Sequence, residues 1–212
     1  MIRGVGLAHD RMGAGMAITS EELNADLDMI LDMGANAIRS LTGPHAAALY
    51  DRCDSEGVLC WVDLPFTRSM RAFADICYYP MAPFCDNGKE QMMEIMAQNY
   101  NHPSIVMWGM HNEILSNTKA GYDMSKLYYE FLKENGGNRL VVYASHIPSM
   151  DISLEFTDVI CLNQYLGWYI GELDSWKGML DRFNARLKTL GLDDKPIIIS
   201  ELGAAAVYGC HD

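Results

Sequence analysis

An α/β barrel of the TIM (β/α)8 type is the fold the sequence predicts, and two observations carry that prediction. Seven short apolar runs alternate with amphipathic helical stretches along all 212 residues, and strict alternation of this kind implies a parallel sheet. Polar and aromatic residues gather just after those runs: Asp10, Arg39, Asp63, Asn112, Glu113, His146, Asn163, Tyr165, Trp168 and Glu201. A single site fed by many strand ends is the arrangement of a closed barrel, whose chemistry lies at its C-terminal face. An open, doubly wound sheet is the competing arrangement, but no Gly-x-Gly-x-x-Gly follows the first run. Seven units are present where eight are expected, so the sequence predicts a barrel truncated after its seventh strand.

Each element has its own local reason. Residues 2–6 form the first apolar run. Thr19 and Glu22 then make a capping box, followed by Leu23, Leu27, Ile30 and Leu31 at helical spacing, with Gly34 as the stop. The second run spans 36–40, and Pro44 fits the first turn of a helix carrying Leu49, Tyr50 and Cys53 that Gly57 ends. The third run is 58–62, and a Met-rich helix over 86–100 leads to the fourth at 105–109. A helix over 122–134 precedes the run 140–143, and 158–162 follows. A last helix over 173–190 leads to the seventh run at 196–200. Met92, Met93 and Met96 read as core filler.

Composition removes several function classes. Half of the residues are apolar and 21% are charged, which is incompatible with a disordered chain. No apolar run reaches the ~18–20 residues of a membrane helix. The net charge of −12 repels phosphate backbones, so neither nucleic acid nor membrane is expected as a partner. The six cysteines, Cys53, Cys60, Cys77, Cys85, Cys161 and Cys210, lack C-x-x-C spacing and read as reduced structural thiols. A reducing, cytoplasmic compartment follows from that usage, with the periplasm as the alternative, and Met1-Ile2-Arg3 opens no leader-like pattern. His9, His111 and His146 match no metal-ligand spacing, so no metal is expected, nor any cofactor. Ser145-His146 lacks a nucleophile elbow, and Cys210-His211 has poor geometry for a catalytic pair.

Two segments carry the chemistry. Asn101-His102-Pro103-Ser104-Ile105 runs through Trp108-Gly109 to Asn112-Glu113, placing an amide and a carboxylate at the end of the fourth strand. Lys195-Pro196-Ile197-Ile198-Ile199-Ser200-Glu201 places a second carboxylate at the end of the seventh. Strands four and seven lie across a barrel axis, so Glu113 and Glu201 can face one substrate from two sides. Two opposed carboxylates suit glycosidic bond cleavage, one protonating the leaving oxygen and the other stabilising or attacking the oxocarbenium-like centre. Asn112 is placed to bind a sugar hydroxyl, Trp168 to stack on a sugar face or fill core, and Arg39 to be functional or networked.

These segments resemble the catalytic barrel of glycoside hydrolase family 2, the β-galactosidase and β-glucuronidase family. The resemblance covers nearly the whole chain, from Arg3-Gly4-Val5 to Gly203-Ala204, as one incomplete domain over residues 1–212. It implies Glu113 as acid/base and Glu201 as nucleophile of a retaining exo-β-glycosidase with a carbohydrate substrate. It further implies that Tyr165 contacts the nucleophile, that Arg39 positions it, and that Asp10, Asn112, His146, Asn163 and Trp168 bind substrate. Asp10-Arg11-Met12-Gly13, Trp61-Val62-Asp63-Leu64-Pro65 and Gly167-Trp168-Tyr169 are more similar to the β-galactosidase branch, with terminal β-galactosides as substrate and β-glucuronidase as the alternative. Leu7-Ala8 and Thr42 replace histidine-bearing positions of the family, which argues for a changed sugar or a non-catalytic sugar-binding barrel. The family's jelly-roll and immunoglobulin-like domains and its eighth strand are absent, leaving a homo-oligomer of a full-length protein open.

Overall fold

The computed structural model describes residues 1–68, 72–206 and 209. Seven parallel strands pair in sequence order: β1 (Gly4–Ala8), β2 (Ala37–Leu41), β3 (Leu59–Asp63), β4 (Ile105–Asn112), β5 (Leu140–Ser145), β6 (Ile160–Asn163) and β7 (Ile197–Glu201). They curl into a nearly closed TIM barrel with helices α1 (Ser20–Asp32), α2 (Ala47–Glu56), α3 (Ala72–Asp75), α4 (Ala82–Asn99), α5 (Lys119–Asn135) and α6 (Ser175–Leu190). β1 and β7 are its two edges, and among the described residues no ladder joins them. The same two strands are the least covered: β2 to β6 are largely buried, whereas every residue of β7 is half-exposed.

Alternation along the strands sorts side chains into two layers. Cys60 and Val62 of β3 face outward, packing with Leu27, Tyr50, Met92 and Tyr128 of the helices. Trp61 faces inward and meets Met107, Val142, Ala144 and Cys161 in the barrel interior. A smaller outer cluster joins Ile160 and Leu162 of β6 to Phe183 and Leu187 of α6. Gly109 of β4 is fixed by this packing. A β-carbon there would overlap the Asp63 carboxylate and the Trp61 indole, so only glycine lets β3 deliver those groups against β4.

The helix signals hold with local exceptions. At α1, Thr19 Oγ1 accepts from the Glu22 amide at 3.2 Å and Glu22 Oε2 accepts from the Thr19 amide at 2.9 Å, the reciprocal bonds of a capping box. α2 begins at Ala47, after Pro44, with Ala46 extended at its N-cap and the His45 amide donating to the Tyr50 hydroxyl at 2.9 Å. Gly57 ends it at φ 71°. α4 starts four residues ahead of the expected 86, with Pro83 in its first turn. Met92 and Met96 are core residues, but Met93 points outward and is exposed, one step around the helix from the buried stripe. α3 has no counterpart in the sequence reading. Cys53, Cys60, Cys77, Cys85 and Cys161 are all free thiols, while Cys210 and His211 lie outside the described residues.

Candidate active site

Both predicted carboxylates sit at the C-terminal end of the barrel, and at each one the strand register slips. Between β6 and β7, Leu162 pairs with Ile199 but Asn163 pairs with Glu201, so β7 uses one extra residue. In simple alternation Glu201 would share the outward face of Ile199; the slip turns it to the side of Asn163. Between β4 and β5, Gly109 pairs with Val142 and Asn112 with Ala144, again one extra residue on the carboxylate-bearing strand. The residue after that slip, Glu113, has φ 55°, the only positive φ outside glycine among the described residues. Its amide donates to the Ala144 carbonyl at 2.9 Å, which holds the left-handed turn in place.

Arg39 joins the two ends. Its Nε donates to Asp63 Oδ2 at 3.0 Å, one terminal nitrogen donates to Glu201 Oε1 at 2.9 Å, and the other to Asn112 Oδ1 at 2.8 Å. The guanidinium also lies 4.3 Å from the centre of the Trp61 ring. Asn163 continues the chain of bonds: its Nδ2 donates to Asn112 Oδ1 and to Glu113 Oε1, both at 3.0 Å, and its Oδ1 accepts from Ser200 Oγ at 2.7 Å. The Tyr165 hydroxyl donates to Glu201 Oε2 at 2.6 Å. Burial, and then the Glu201 charge, push the Tyr165 phenol well above its ordinary value, so it stays protonated and remains a donor. Asp63 is fully buried, and loss of solvent raises it to about 6 against the opposing pull of Arg39.

An open cleft of about 220 Å³ lies beside Glu113, walled by Arg68, His146, Gln164, Tyr165 and Tyr169. His146 stands on the loop after β5, where the buried Asp151 anchors the chain by accepting from Ser145 Oγ at 2.6 Å, Ser116 Oγ at 2.7 Å and the Tyr143 hydroxyl at 3.1 Å. Burial holds the His146 imidazole below its ordinary value. Of the residues expected from sequence, Arg39, Asn112, Glu113, Asn163, Tyr165 and Glu201 form one connected network, and His146 lines the cleft. Trp168 is not core: it is 47% exposed, with its ring 6.1 Å from that of Tyr169 at the rim. Asp10 is exposed on the loop after β1, outside the network, while its neighbour Arg11 pairs with Asp26 of α1.

Arg68 and Gln164 were not singled out from sequence. Arg68 lies in Phe66-Thr67-Arg68, which carries no motif, and it reaches the site only because Thr67 bridges to Asn112. The three histidines considered for a metal, His9, His111 and His146, do not come together as a ligand group; among the described residues one group of that kind exists, Asp51, Asp54 and His102, near the strand starts. There His102 Nδ1 sits 2.7 Å from Asp54 Oδ2, a part-buried side-chain hydrogen bond. No helix among the described residues is long and apolar enough to cross a membrane.

Fold and strand-end residues together define a parallel α/β barrel with a polar, carboxylate-bearing site at its C-terminal face. The chain belongs to glycoside hydrolase family 2: the family model described as "Glycosyl hydrolases family 2, TIM barrel domain" matches residues 1–212. A β-glucuronidase of Bacteroides fragilis is 32% identical over 213 residues, covering 100% of this chain and 29% of that protein. A β-glucuronidase of Streptococcus agalactiae is 29% identical over 226 residues, covering 99% of this chain and 37% of its own. The crystal structure of a family 2 β-galacturonidase from Eisenbergiella tayi, bound to galacturonate, matches with a TM-score of 0.86 at 29% identity, over 98% of this chain and 36% of that one. The chain therefore spans about a third of the length of these relatives.

Proposed function

We propose that the chain is the catalytic barrel of a retaining exo-β-glycosidase. The observation that carries this reading is the single network of Arg39, Asn112 and Asn163 that holds two carboxylates, Glu201 and Glu113, at facing strand ends. Glu201 has a donor on each oxygen, which fixes it in one orientation for attack on the anomeric carbon. As the bond from that carbon to the leaving oxygen breaks, Glu113 transfers its proton to the leaving oxygen. Glu113, now a carboxylate, takes a proton from the water that attacks the same carbon and releases Glu201.

For the sugar, we favour a β-hexuronide over the β-galactoside that the loop sequences suggested. Two observations support this. The relatives above bear glucuronidase and galacturonidase names, and two of the three galactosidase-like segments, at 10–13 and 167–169, lie in loops, the most variable part of a barrel. Turnover of an aryl β-glucuronide, an aryl β-galacturonide and an aryl β-galactoside by the full-length protein tests both parts. Release from a uronide that disappears in Glu201→Gln is the expected result; unchanged turnover in that variant would end the assignment.

A further inference from the structure

We propose that Arg68, with His146 beside it, seats a negatively charged leaving group, an aglycone bearing a carboxylate or sulfate, next to Glu113. The proposal rests on the glycosidase reading and adds the chemistry on the far side of the scissile bond. The position of Arg68 is fixed by backbone: its amide donates to the Asn112 carbonyl at 3.1 Å, and the Asn112 amide donates to the Phe66 carbonyl at 2.8 Å. A segment beyond β3 is thereby stitched to the end of β4, one residue from Glu113. The guanidinium, however, is not spent. It stands 3.5 Å from Glu113 Oε2 and 3.4 Å from His146 Nε2, both long for charge-assisted bonds, and its side chain is 40% exposed.

Arg39 shows what a committed arginine looks like in the same molecule, with close bonds to three partners and a side chain only 6% exposed. Among the described residues those two long contacts, to Glu113 and His146, are the partners of the Arg68 guanidinium, which leaves donors for something that enters the cleft. The direction of the cleft says which part of a substrate that is. A proton donor touches the bridging oxygen, so groups on its outer side touch the leaving group. Glu113 lines this cleft and Glu201 does not. Asn163, Gln164, Tyr165, Tyr169 and Ile170 complete the wall with uncharged surface, so when Glu113 carries the proton it is to donate, Arg68 is the charge left in the lining. A planar guanidinium matches a carboxylate or sulfate through paired donors.

The test uses four substrates, 4-carboxyphenyl and 4-carbamoylphenyl aglycones each joined to glucuronic acid and to galactose, with the full-length protein and its Arg68→Met and Arg68→Lys variants. The two aglycones have similar shape and differ in charge. Wild type is expected to prefer the carboxyphenyl leaving group, and Arg68→Met to reduce that preference about tenfold, largely through KM. Arg68→Lys should restore part of it. An equal loss on both aglycones would overturn the proposal, since Arg68 would then act only through Glu113. A loss that follows the sugar's charge and ignores the aglycone's would overturn it too, placing the glycone carboxylate on Arg68. If wild type turns over none of the four, the hydrolase reading falls separately. Calorimetric binding of the same glycosides then decides the seat, which survives only if the carboxyphenyl preference is present and lost in Arg68→Met.

Discussion

The end of β7 and the end of β4 carry the same functional group in opposite kinds of surroundings. Glu201 is gripped on both oxygens, by Arg39 at 2.9 Å and Tyr165 at 2.6 Å, and Arg39 is itself locked by the fully buried Asp63. Glu113 has one firm bond, from Asn163 at 3.0 Å, and its second oxygen looks past Arg68 into an open cleft. A group that must attack one carbon along one line gains from being held rigidly. A group that must give a proton, take one back and admit water gains from an open side. The difference in grip, rather than the mere presence of two acids, is what separates their proposed roles.

That comparison can be broken at several points, in descending order of effect. Glu201→Ala should cost on the order of 10⁴-fold or more in kcat with every aryl glycoside, because no leaving group substitutes for a missing nucleophile. Glu113→Ala should cost ~10²–10⁴-fold with a poorly acidic leaving group and much less with a strongly acidic one, which needs no proton. Rates across a series of phenols of graded acidity check this; equal slopes in the two variants would erase the distinction. Arg39→Met leaves Asp63 buried without its partner, and breaking a buried pair costs ~3–5 kcal/mol, so thermal unfolding should drop steeply along with turnover. Tyr165→Phe removes one bond to Glu201 and should lower kcat ~10-fold while leaving the melting temperature nearly in place.

The smallest effect sharpens the comparison through pH. Asp63 titrates at about 6 in the folded chain against an ordinary value of 3.8. As pH falls through 6 the folded chain binds a proton before the unfolded chain does, so the native state gains stability between 6 and 3.8 and loses it again as pH rises. Asp63→Asn should flatten that limb. Unfolding free energies of both proteins, compared across this window, give the check: a pH-independent difference between them would mean that Asp63 is not shifted.

Much of this architecture was legible because it repeats. The Thr19–Glu22 box, the glycine stops at Gly34 and Gly57, and seven apolar runs each follow from local chemistry that tertiary contacts had no reason to override. The strand ends were less legible. β4 continues to Asn112, three residues past the expected end, since His111 is buried there through its bond to Ser125 at 2.9 Å. A polar residue in a run looks like a loop until its partner on α5 is known. Period-two counting also puts Glu201 on the wrong face, and only the slipped register against Asn163 corrects it. Arg68 was invisible for a related reason. Nothing in Phe66-Thr67-Arg68 marks chemistry, and its place depends on a bridge between segments 45 residues apart.

The left-handed backbone at Glu113 has a further consequence. A side chain other than glycine at φ 55° pays roughly 1–2 kcal/mol for that conformation. Natural drift toward robustness would favour glycine or asparagine at this spot, and the proposed acid/base role of Glu113 is what would oppose it. Glu113→Gly should therefore melt higher than the parent while losing proton transfer. A sequence of this family carrying glycine in place of Glu113 would then be no worn-out remnant; it would be a sturdier fold released from one obligation.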